Sequence, residues 1–206
     1  MFKSIGFLLL LVLSFNGYCQ GEIIFNSGKT VRFNNVSIED GKVRGDFYKK
    51  KRKGEKKINK DFPVENVFAI NHDNKEQWEI IYVQDTSNVY DLNVEDMEFY
   101  VLGEQEALLN HKTELIQIVG FAGGAALGYF LYSSVAIIAT PIIYTGIVLI
   151  PKVRIKREKL KDENLLEKQA FIEGYVSVAK TKKVKSALIS NASGILAGAI
   201  VGILLR

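Results

Sequence analysis

The 206-residue chain contains only one cysteine, two histidines, three prolines and one tryptophan. A structural zinc centre needs about four Cys or His ligands, and a disulfide framework needs paired cysteines. The composition therefore excludes both kinds of site. The sequence also lacks a Gly-x-Ser-x-Gly elbow, a phosphate-binding loop and a dinucleotide-binding fingerprint. We accordingly expect no catalytic activity and no cofactor.

Charged residues are distributed unevenly along the chain. Residues 22–102 have a net charge of −2, whereas residues 103–206 have a net charge of +5. Leu115–Pro151 is a run of 37 residues without a formal charge. Such a run is atypical of a wholly soluble protein and indicates membrane segments.

Residues 1–19 have the pattern of a secretory signal peptide. Lys3 provides a basic start, and the apolar stretch Ile5–Phe15 is shorter than the roughly 17–25 residues of a membrane span. Cleavage after Cys19 would place small residues, Gly17 and Cys19, where signal peptidase prefers them. Acylation of Cys19 is the disfavoured alternative because bulky Tyr18 precedes it. Cleavage would leave a mature chain without cysteine.

Residues 20–102 predict an exported β-rich domain. Apolar and polar residues alternate with a period near two, and Asn26–Lys29 and Glu39–Lys42 are typical of turns. Gly41 can adopt the positive φ angle that a tight hairpin turn requires. We expect roughly six to eight antiparallel strands in a meander or open barrel. The later strands are expected at Val64–Ile70, Trp78–Val83 and Val89–Leu92, and the core aromatics are expected to be Phe25, Phe33, Phe47, Phe68, Trp78 and Tyr82.

A dense basic run lies inside this domain. Seven of its nine residues are cationic: Lys49, Lys50, Lys51, Arg52, Lys53, Lys56 and Lys57. Clustered cations can contact an anion such as a lipid headgroup or a phosphate-rich polymer. A solvated hairpin tip that discourages edge-to-edge pairing is the favoured interpretation. Nucleic acid is not an expected partner, because no aromatic residues are interleaved with the basic ones.

The second half contains three apolar stretches: Leu115–Leu131, Val135–Ile150 and Ala187–Leu205. A single straight helix across the uncharged run would be roughly 55 Å long, well beyond the ~30 Å hydrocarbon core. We therefore expect the first two stretches to form a helical hairpin that turns at Tyr132–Ser134. Pro141 is a candidate kink in the second arm.

Glycines recur at four-residue spacing in two of these stretches. The two triplets are Gly120, Gly124 and Gly128, and Gly194, Gly198 and Gly202. Four-residue steps place each triplet on one helix face, where another helix can approach closely and gain dispersion contacts. We expect these faces to pack helices, either within one chain or between protomers. The alternatives are that lipid merely tolerates the glycines, or that they form a pore or an amyloid-like zipper.

Residues 152–186 carry eleven Lys or Arg and five Asp or Glu, and predict a basic, partly helical loop. Its expected inner positions are Leu166, Phe171 and Val178. A two-arm hairpin returns this loop to the exported side, whereas the positive-inside tendency would place it in the cytoplasm. We favour the hairpin because apolar length constrains insertion more directly than charge does.

Other candidate chemistry is weak. His72 and His111 lack neighbours at metal-ligand spacing, so surface histidines are favoured over ligands. Glu95–Glu98 clusters three carboxylates, but a glycosidase pair must come from separate elements across a cleft. A solvated turn or the start of a helix accounts for this cluster better.

Several motifs resemble a group of uncharacterised exported, glycine-zipper-like membrane proteins of Bacteroidetes-type bacteria. The similar features are a leader ending near glutamine, a short β-meander, the stretch Met97–Ala107, and Gly174-Tyr175 followed by Ala179–Ser186. Related chains tend to have a Pro-rich exit from the hairpin, of which this chain retains only Pro151. The resemblance implies a membrane-anchored envelope protein and brings no catalytic residues.

The predicted fold class is α+β. We expect a signal peptide at 1–19, a β domain at 20–102, a linker and apolar hairpin at 103–151, a basic loop at 152–186 and an apolar helix at 187–206. The expected protein sits in the inner membrane of a Gram-negative bacterium, with its β domain in the periplasm and a structural or binding role. Expected partners are lipids, an envelope protein or a second copy through the glycine faces. The alternatives are a small oligomeric channel and a membrane-active stress or toxin-like protein.

Overall fold

The computed structural model describes residues 21–51, 54–58, 60–72, 78–89, 91–130, 134–160 and 162–205. The chain divides into two compact units, residues 1–98 and 99–206. The predicted signal peptide and Cys19 lie outside the described residues. The fold is α+β, as expected from the sequence.

The first unit is an open antiparallel sheet, in which the described residues form seven strands. They are β1 Gly21–Phe25, β2 Thr30–Glu39, β3 Lys42–Lys51, β4 Gly54–Ile58, β5 Phe62–Pro63, β6 Val67–His72 and β7 Glu79–Ile80. Six follow the order β4-β3-β2-β1-β6-β7, and β5 pairs with the beginning of β3. The predicted meander therefore holds only for β1 to β4, because β6 returns to pair with β1.

The turn between β2 and β3 forms where the sequence predicted it. Asp40 and Gly41 have φ angles of 51° and 68°, the left-handed pair that matches the twist of a two-residue hairpin. Further along the same strand pair, the register shifts between Phe33 and Val36. A Cβ on Gly45 would lie 3.0 Å from the carbonyl carbon of Asn35 at this bulge, so the site requires glycine.

One face of the sheet forms the hydrophobic core. Its buried members are Ile23, Phe25, Val31, Phe33, Val43, Phe47, Val67 and Ile70. The ring of Phe62 meets those of Phe25 and Phe47 edge-on, with centroids 4.8 Å away in each case. These aromatic contacts join β5 to the strands that flank the core.

Two aromatic predictions need correction. Phe25, Phe33, Phe47 and Phe68 are buried as expected, but Trp78 is 38% exposed because it precedes the two-residue edge strand β7. Tyr82 is partly buried, and its hydroxyl donates a 2.7 Å hydrogen bond to the carbonyl oxygen of Leu92. It therefore serves as a polar tether for the loop after β7.

Parts of two predicted strands are not strands: the first three residues of Val64–Ile70, whose other four residues lie in β6, and the described residues of Val89–Leu92. Val64–Asn66 forms a short 3-10 turn between β5 and β6. Residues 89, 91 and 92 form no strand, and Asp91 instead accepts a 2.7 Å hydrogen bond from the backbone amide of Asp85. Side-chain oxygens of this kind compete with strand pairing for backbone donors.

The helical part of the chain begins at a capped terminus. Four α-helices occur among the described residues: α1 Val94–Asn110, α2 Glu114–Phe130, α3 Ser134–Leu149 and α4 Gln169–Leu204. Asn93 accepts a 2.8 Å hydrogen bond from the amide of Asp96 and donates one of 2.8 Å to its carboxylate. This reciprocal cap explains why the acidic cluster at residues 95–98 starts a helix.

The C-terminal helix is longer than expected. Residues 169–186 were predicted to belong to a basic, partly helical loop, but they continue without a break into the apolar stretch as one helix of 36 residues. Residues 175–186 contain neither proline nor glycine, so no residue there interrupts the backbone ladder. Leu166 lies in a 3-10 turn before this helix and Phe171 is fully buried on it.

Among the described helices, α4 alone is long and apolar enough to cross a membrane, with a mean hydropathy of 1.9 over its most apolar 18 residues. Helices α2 and α3 are apolar but shorter, with 17 and 16 residues. Their lengths are on the order of 25 Å. Pro141 lies inside α3.

Candidate functional site at the helix contacts

Helix α4 packs parallel to both α1 and α2. Gly174 of α4 meets Tyr100 of α1, and Gly198 of α4 meets Ala125 of α2. Helix α3 returns antiparallel to α2, so that the hydroxyl of Tyr144 donates a 2.7 Å hydrogen bond to the carbonyl oxygen of Ile116. The apolar parts of α2, α3 and α4 therefore lie side by side.

All six glycines of the two triplets are buried. A Cβ on Gly124 would lie 3.1 Å from the backbone nitrogen of Ile195, and one on Gly128 would lie 2.9 Å from the carbonyl carbon of the same residue. A Cβ on Gly194 would lie 3.0 Å from the nitrogen of Ala125. The backbones of α2 and α4 are thus in direct contact along the glycine faces.

Other glycines in the apolar helices are not confined in this way. A Cβ on Gly123 or Gly146 would meet nothing within 4 Å. Gly123 immediately precedes Gly124 on α2, but it points away from α4. The close approach therefore depends on helix face and not on glycine content.

Polar side chains lie inside the helix contact. Asn191 is 2% exposed, and its amide nitrogen donates a 3.1 Å hydrogen bond to the carbonyl oxygen of Gly120. Its Oδ1 atom has no hydrogen-bond partner among the described residues. This hydrogen bond joins α4 to α2 through a side chain inside the helix contact.

The polar ends of the three apolar stretches lie at one level. The hydroxyls of Thr113, before α2, and Ser186, on α4, are 2.7 Å apart. Lys183 donates a 3.1 Å hydrogen bond to the carbonyl oxygen of Pro151, directly after α3. We call this level the polar layer. It separates the apolar helices from the charged segments 150–168 and 169–185.

Lys182 closes the C-terminus of α1. Its ammonium group donates hydrogen bonds to the carbonyl oxygens of Ala107, Leu108 and His111, at 3.0, 2.7 and 3.1 Å. The last carbonyls of a helix have no intrahelical donor and carry partial negative charge. Lys182 is therefore a second donor for the carbonyl of Ala107, which also accepts from the amide of His111, and a donor for the carbonyls of Leu108 and of His111 just after the helix. It thereby joins α1 to α4.

The surroundings of His111, beside this cap, disfavour the protonated form of its ring. Burial, followed by the positive charges of Lys182 and Lys183, lowers the pKa of His111. Its ring lies edge-on to Tyr175 with a centroid distance of 6.1 Å. The other histidine, His72, lies 3.6 Å from a carboxylate oxygen of Glu79. Among the described residues, no three His, Cys, Asp or Glu side chains group closely enough to hold a metal ion.

A groove of about 570 Å³ opens beside the contact between α2 and α4. Its lining includes Thr113 and Ser186 from the polar layer, together with Lys182 and Lys185. Gln117 donates hydrogen bonds of 3.4 and 3.3 Å to the two hydroxyls of the polar layer. Deeper along the helices, the lining is formed by Phe121, Ile189, Ser190 and Ser193.

The basic run of the first unit lies on the hairpin of β3 and β4. Lys49 pairs with Lys56 across the two strands, and Lys50 pairs with Glu55. Lys57 forms a 2.6 Å ion pair with Asp46, and this hydrogen bond raises the pKa of Lys57. Arg52 and Lys53 lie outside the described residues. Both the solvated-tip interpretation and the anion-contact interpretation of the basic run stay predictions.

Several positions in the second unit were not singled out from the sequence. A Cβ on Gly103 would lie 2.9 Å from the backbone nitrogen of Tyr175, so α1 and α4 also touch through glycines. Asn191 is the one strongly polar residue in Ala187–Leu205 and could have been noticed for that reason. The role of Lys182 depends on acceptors more than 70 residues away, which no local pattern indicates.

Comparison of the chain with protein-family models, with curated proteins and with solved structures found no match.

Proposed function

We propose that this chain is a membrane-anchored cell-envelope protein that displays its β domain in the periplasm and has a structural or binding role without catalysis. The observation that supports the anchor best is the single polar layer. The polar ends of α2, α3 and the apolar part of α4 meet there, at Thr113, Pro151 and Ser186. A bilayer boundary at this level would place all three apolar segments in lipid together.

The exposed surface of these segments supports the same proposal. Their outward side chains are large and apolar: Leu115, Ile118, Phe130, Ile138, Ile142, Ile143, Ile147, Leu196, Ile200 and Ile203 are all more than half exposed. A contiguous apolar surface of this kind is atypical of a soluble monomer. In lipid, such a surface avoids the free-energy cost of contact with water.

The same arrangement favours an anchor over an oligomeric channel. The glycine faces of α2 and α4 cover each other within one chain, so neither face is open to a second protomer. Residues 115–151 are also uncharged, whereas polar pathways are usually marked by intramembrane charges. The proposed membership in an exported, glycine-zipper-like family, suggested by the sequence motifs, fits the anchor as well.

The periplasmic orientation rests on the signal-peptide pattern of residues 1–19. It opposes the positive-inside tendency, because Lys152 to Lys185 would then also lie outside the inner membrane. The common position of Thr113 and Pro151 at the polar layer supports the hairpin.

Fractionation and labelling test the proposal. The full chain should stay in the membrane pellet after alkaline carbonate extraction. A Ser87→Cys variant should react, in intact cells, with a thiol reagent that passes only the outer membrane. Release by carbonate would overturn the anchor, and labelling only after lysis would overturn the periplasmic orientation.

A further inference from the structure

The groove beside α2 and α4 changes character along its length. At the polar layer its lining includes the hydroxyls of Thr113 and Ser186, which are hydrogen-bonded to each other, and the amide of Gln117, which donates to both. One to two helical turns deeper, it is lined by Phe121 and Ile189, which are 46% and 59% exposed. Ser193 is seven positions after Ser186, which corresponds to about 10 Å along the helix axis.

The groove has one sign of charge. Lys182 and Lys185 line it, and among the described residues no Asp or Glu does so. The ammonium group of Lys182 is engaged by the carbonyls of α1. Lys185 is exposed and makes no hydrogen bond or ion pair with a described residue. Its charge is therefore available to a ligand at the polar layer.

The hydroxyl groups in the deeper part of the groove are already hydrogen-bonded within the protein. The hydroxyl of Ser193 donates a 2.9 Å hydrogen bond to the carbonyl oxygen of Ser190, and that of Ser190 donates one of 3.3 Å to Ala187. Because these hydroxyls are satisfied within α4, they present small side chains without unmet donors. An apolar chain can lie against such a surface.

We propose that this groove binds one anionic phospholipid. The phosphate lies at the polar layer beside Lys185 and Ser186, and an acyl chain follows Phe121 and Ile189 toward Ser193. This inference rests on the proposed function, because the lipid reaches the groove only if the apolar helices are in a bilayer. Along the groove, the cation and the hydroxyl groups come first and the apolar part follows, which is the order in which the headgroup and the acyl chain of a phospholipid would meet them.

Photocrosslinking of the full chain in phosphatidylcholine vesicles tests the site. The vesicles contain a trace of phosphatidylglycerol or of phosphatidylcholine that carries a photoreactive group in its acyl chain, and attachment is mapped by peptide mass spectrometry. We expect the phosphatidylglycerol probe to attach within residues 186–193. Attachment of the phosphatidylcholine probe there should be about fivefold weaker, the factor that corresponds to about 1 kcal/mol for one lysine at a membrane surface.

Two pairs of variants isolate the two parts of the groove. Lys185→Gln should lower phosphatidylglycerol attachment about fivefold, whereas Lys180→Gln removes the same charge from an exposed position outside the groove and should not. Ser193→Phe fills the deep part and should abolish attachment there. Ala192→Phe adds the same ring to a neighbouring exposed position and should leave attachment unchanged.

The outcomes distinguish a failure of the lipid-binding proposal from a failure of the membrane-anchor proposal. Failure of the wild-type chain to float with the vesicles would overturn the membrane anchor and the groove with it. Flotation with equal attachment of both probes, or no effect of Lys185→Gln, would overturn the groove alone. Displacement of the phosphatidylglycerol probe by inorganic phosphate would show a site for a free anion and would also overturn the lipid assignment.

Discussion

The carbonyl group of Ala125 occupies the space beside Gly198: a Cβ on that glycine would lie 2.7 Å from the carbonyl carbon. At this point the backbone of α2 thus contacts the backbone of α4 directly, because glycine has no side chain to separate them. Even the smallest side chain must push α2 and α4 apart. The same relationship recurs at Gly194 and Gly124, so the contact extends over several turns.

Gly198→Ala should therefore destabilise the second unit. Overpacking costs typically about 1–3 kcal/mol, and loss of interhelical contacts adds to it. Gly123→Ala is the matched control, because its Cβ meets open space and alanine is the better helix former by about 1 kcal/mol. Unfolding of the purified full chain by SDS, followed by circular dichroism, measures both. Equal behaviour of the two variants would contradict the assigned helix contact.

Loss of the α1 cap should be local. Lys182→Met leaves three carbonyl acceptors of Ala107, Leu108 and His111 without their ammonium donor. Hydrogen bonds to charged groups contribute about 1.5–3 kcal/mol. Amide hydrogen exchange in the last turn of α1 should therefore accelerate. Lys180→Met, at an exposed position on the same helix, should leave this exchange unchanged, and equal acceleration in both would count against the cap.

The lowered pKa of His111 predicts that the folded protein loses stability in mild acid. Because burial and the lysines lower its pKa below the ordinary value of about 6.5, the unfolded chain binds a proton more readily than the folded protein. The free energy of unfolding should be constant above that value and fall as the pH drops through the pKa of the folded state. His111→Gln should reduce this fall, measured by SDS unfolding at several pH values. His72→Gln should retain it, and an unchanged slope in His111→Gln would refute the assignment.

The core of the first unit should depend on Phe47. This side chain is fully buried and contacts the ring of Phe62. Phe47→Ala should cost about 3–5 kcal/mol, because it leaves a cavity where the rings meet. Ile38→Ala removes an apolar side chain that is 49% exposed and should cost far less. Limited proteolysis of the full chain, monitored at residues 21–72, distinguishes them, and comparable protection would contradict the core.

The sequence correctly predicted the features of this fold that depend on residues close together in the chain. The turn at Asp40 and Gly41 follows from residues that tolerate positive φ, and strands β2 and β3 follow from alternation on either side of it. Helices α2 and α3 each follow from one apolar stretch of the sequence. Each of these features depends on neighbours in the chain.

The rest depends on partners that are distant in sequence. Pairing of β6 with β1 joins residues about 45 positions apart, and the exposure of Trp78 follows from the shortness of β7. The four-residue glycine spacing indicated helix faces, but it could not say which helix would cover them. The groove could not be predicted either, because its lining comes from α2 and α4 together.

The central proposal is a topology in which Ser87 and the loop 150–168 face the periplasm and the end of α4 faces the cytoplasm. Single cysteines at Ser87, Asn164 and Leu205, introduced one at a time with Cys19→Ser, test it directly. A thiol reagent that cannot cross the inner membrane should label Ser87→Cys and Asn164→Cys in intact cells, and Leu205→Cys only after lysis. Labelling of Leu205→Cys together with Ser87→Cys, or protection of Asn164→Cys until lysis, would contradict the account.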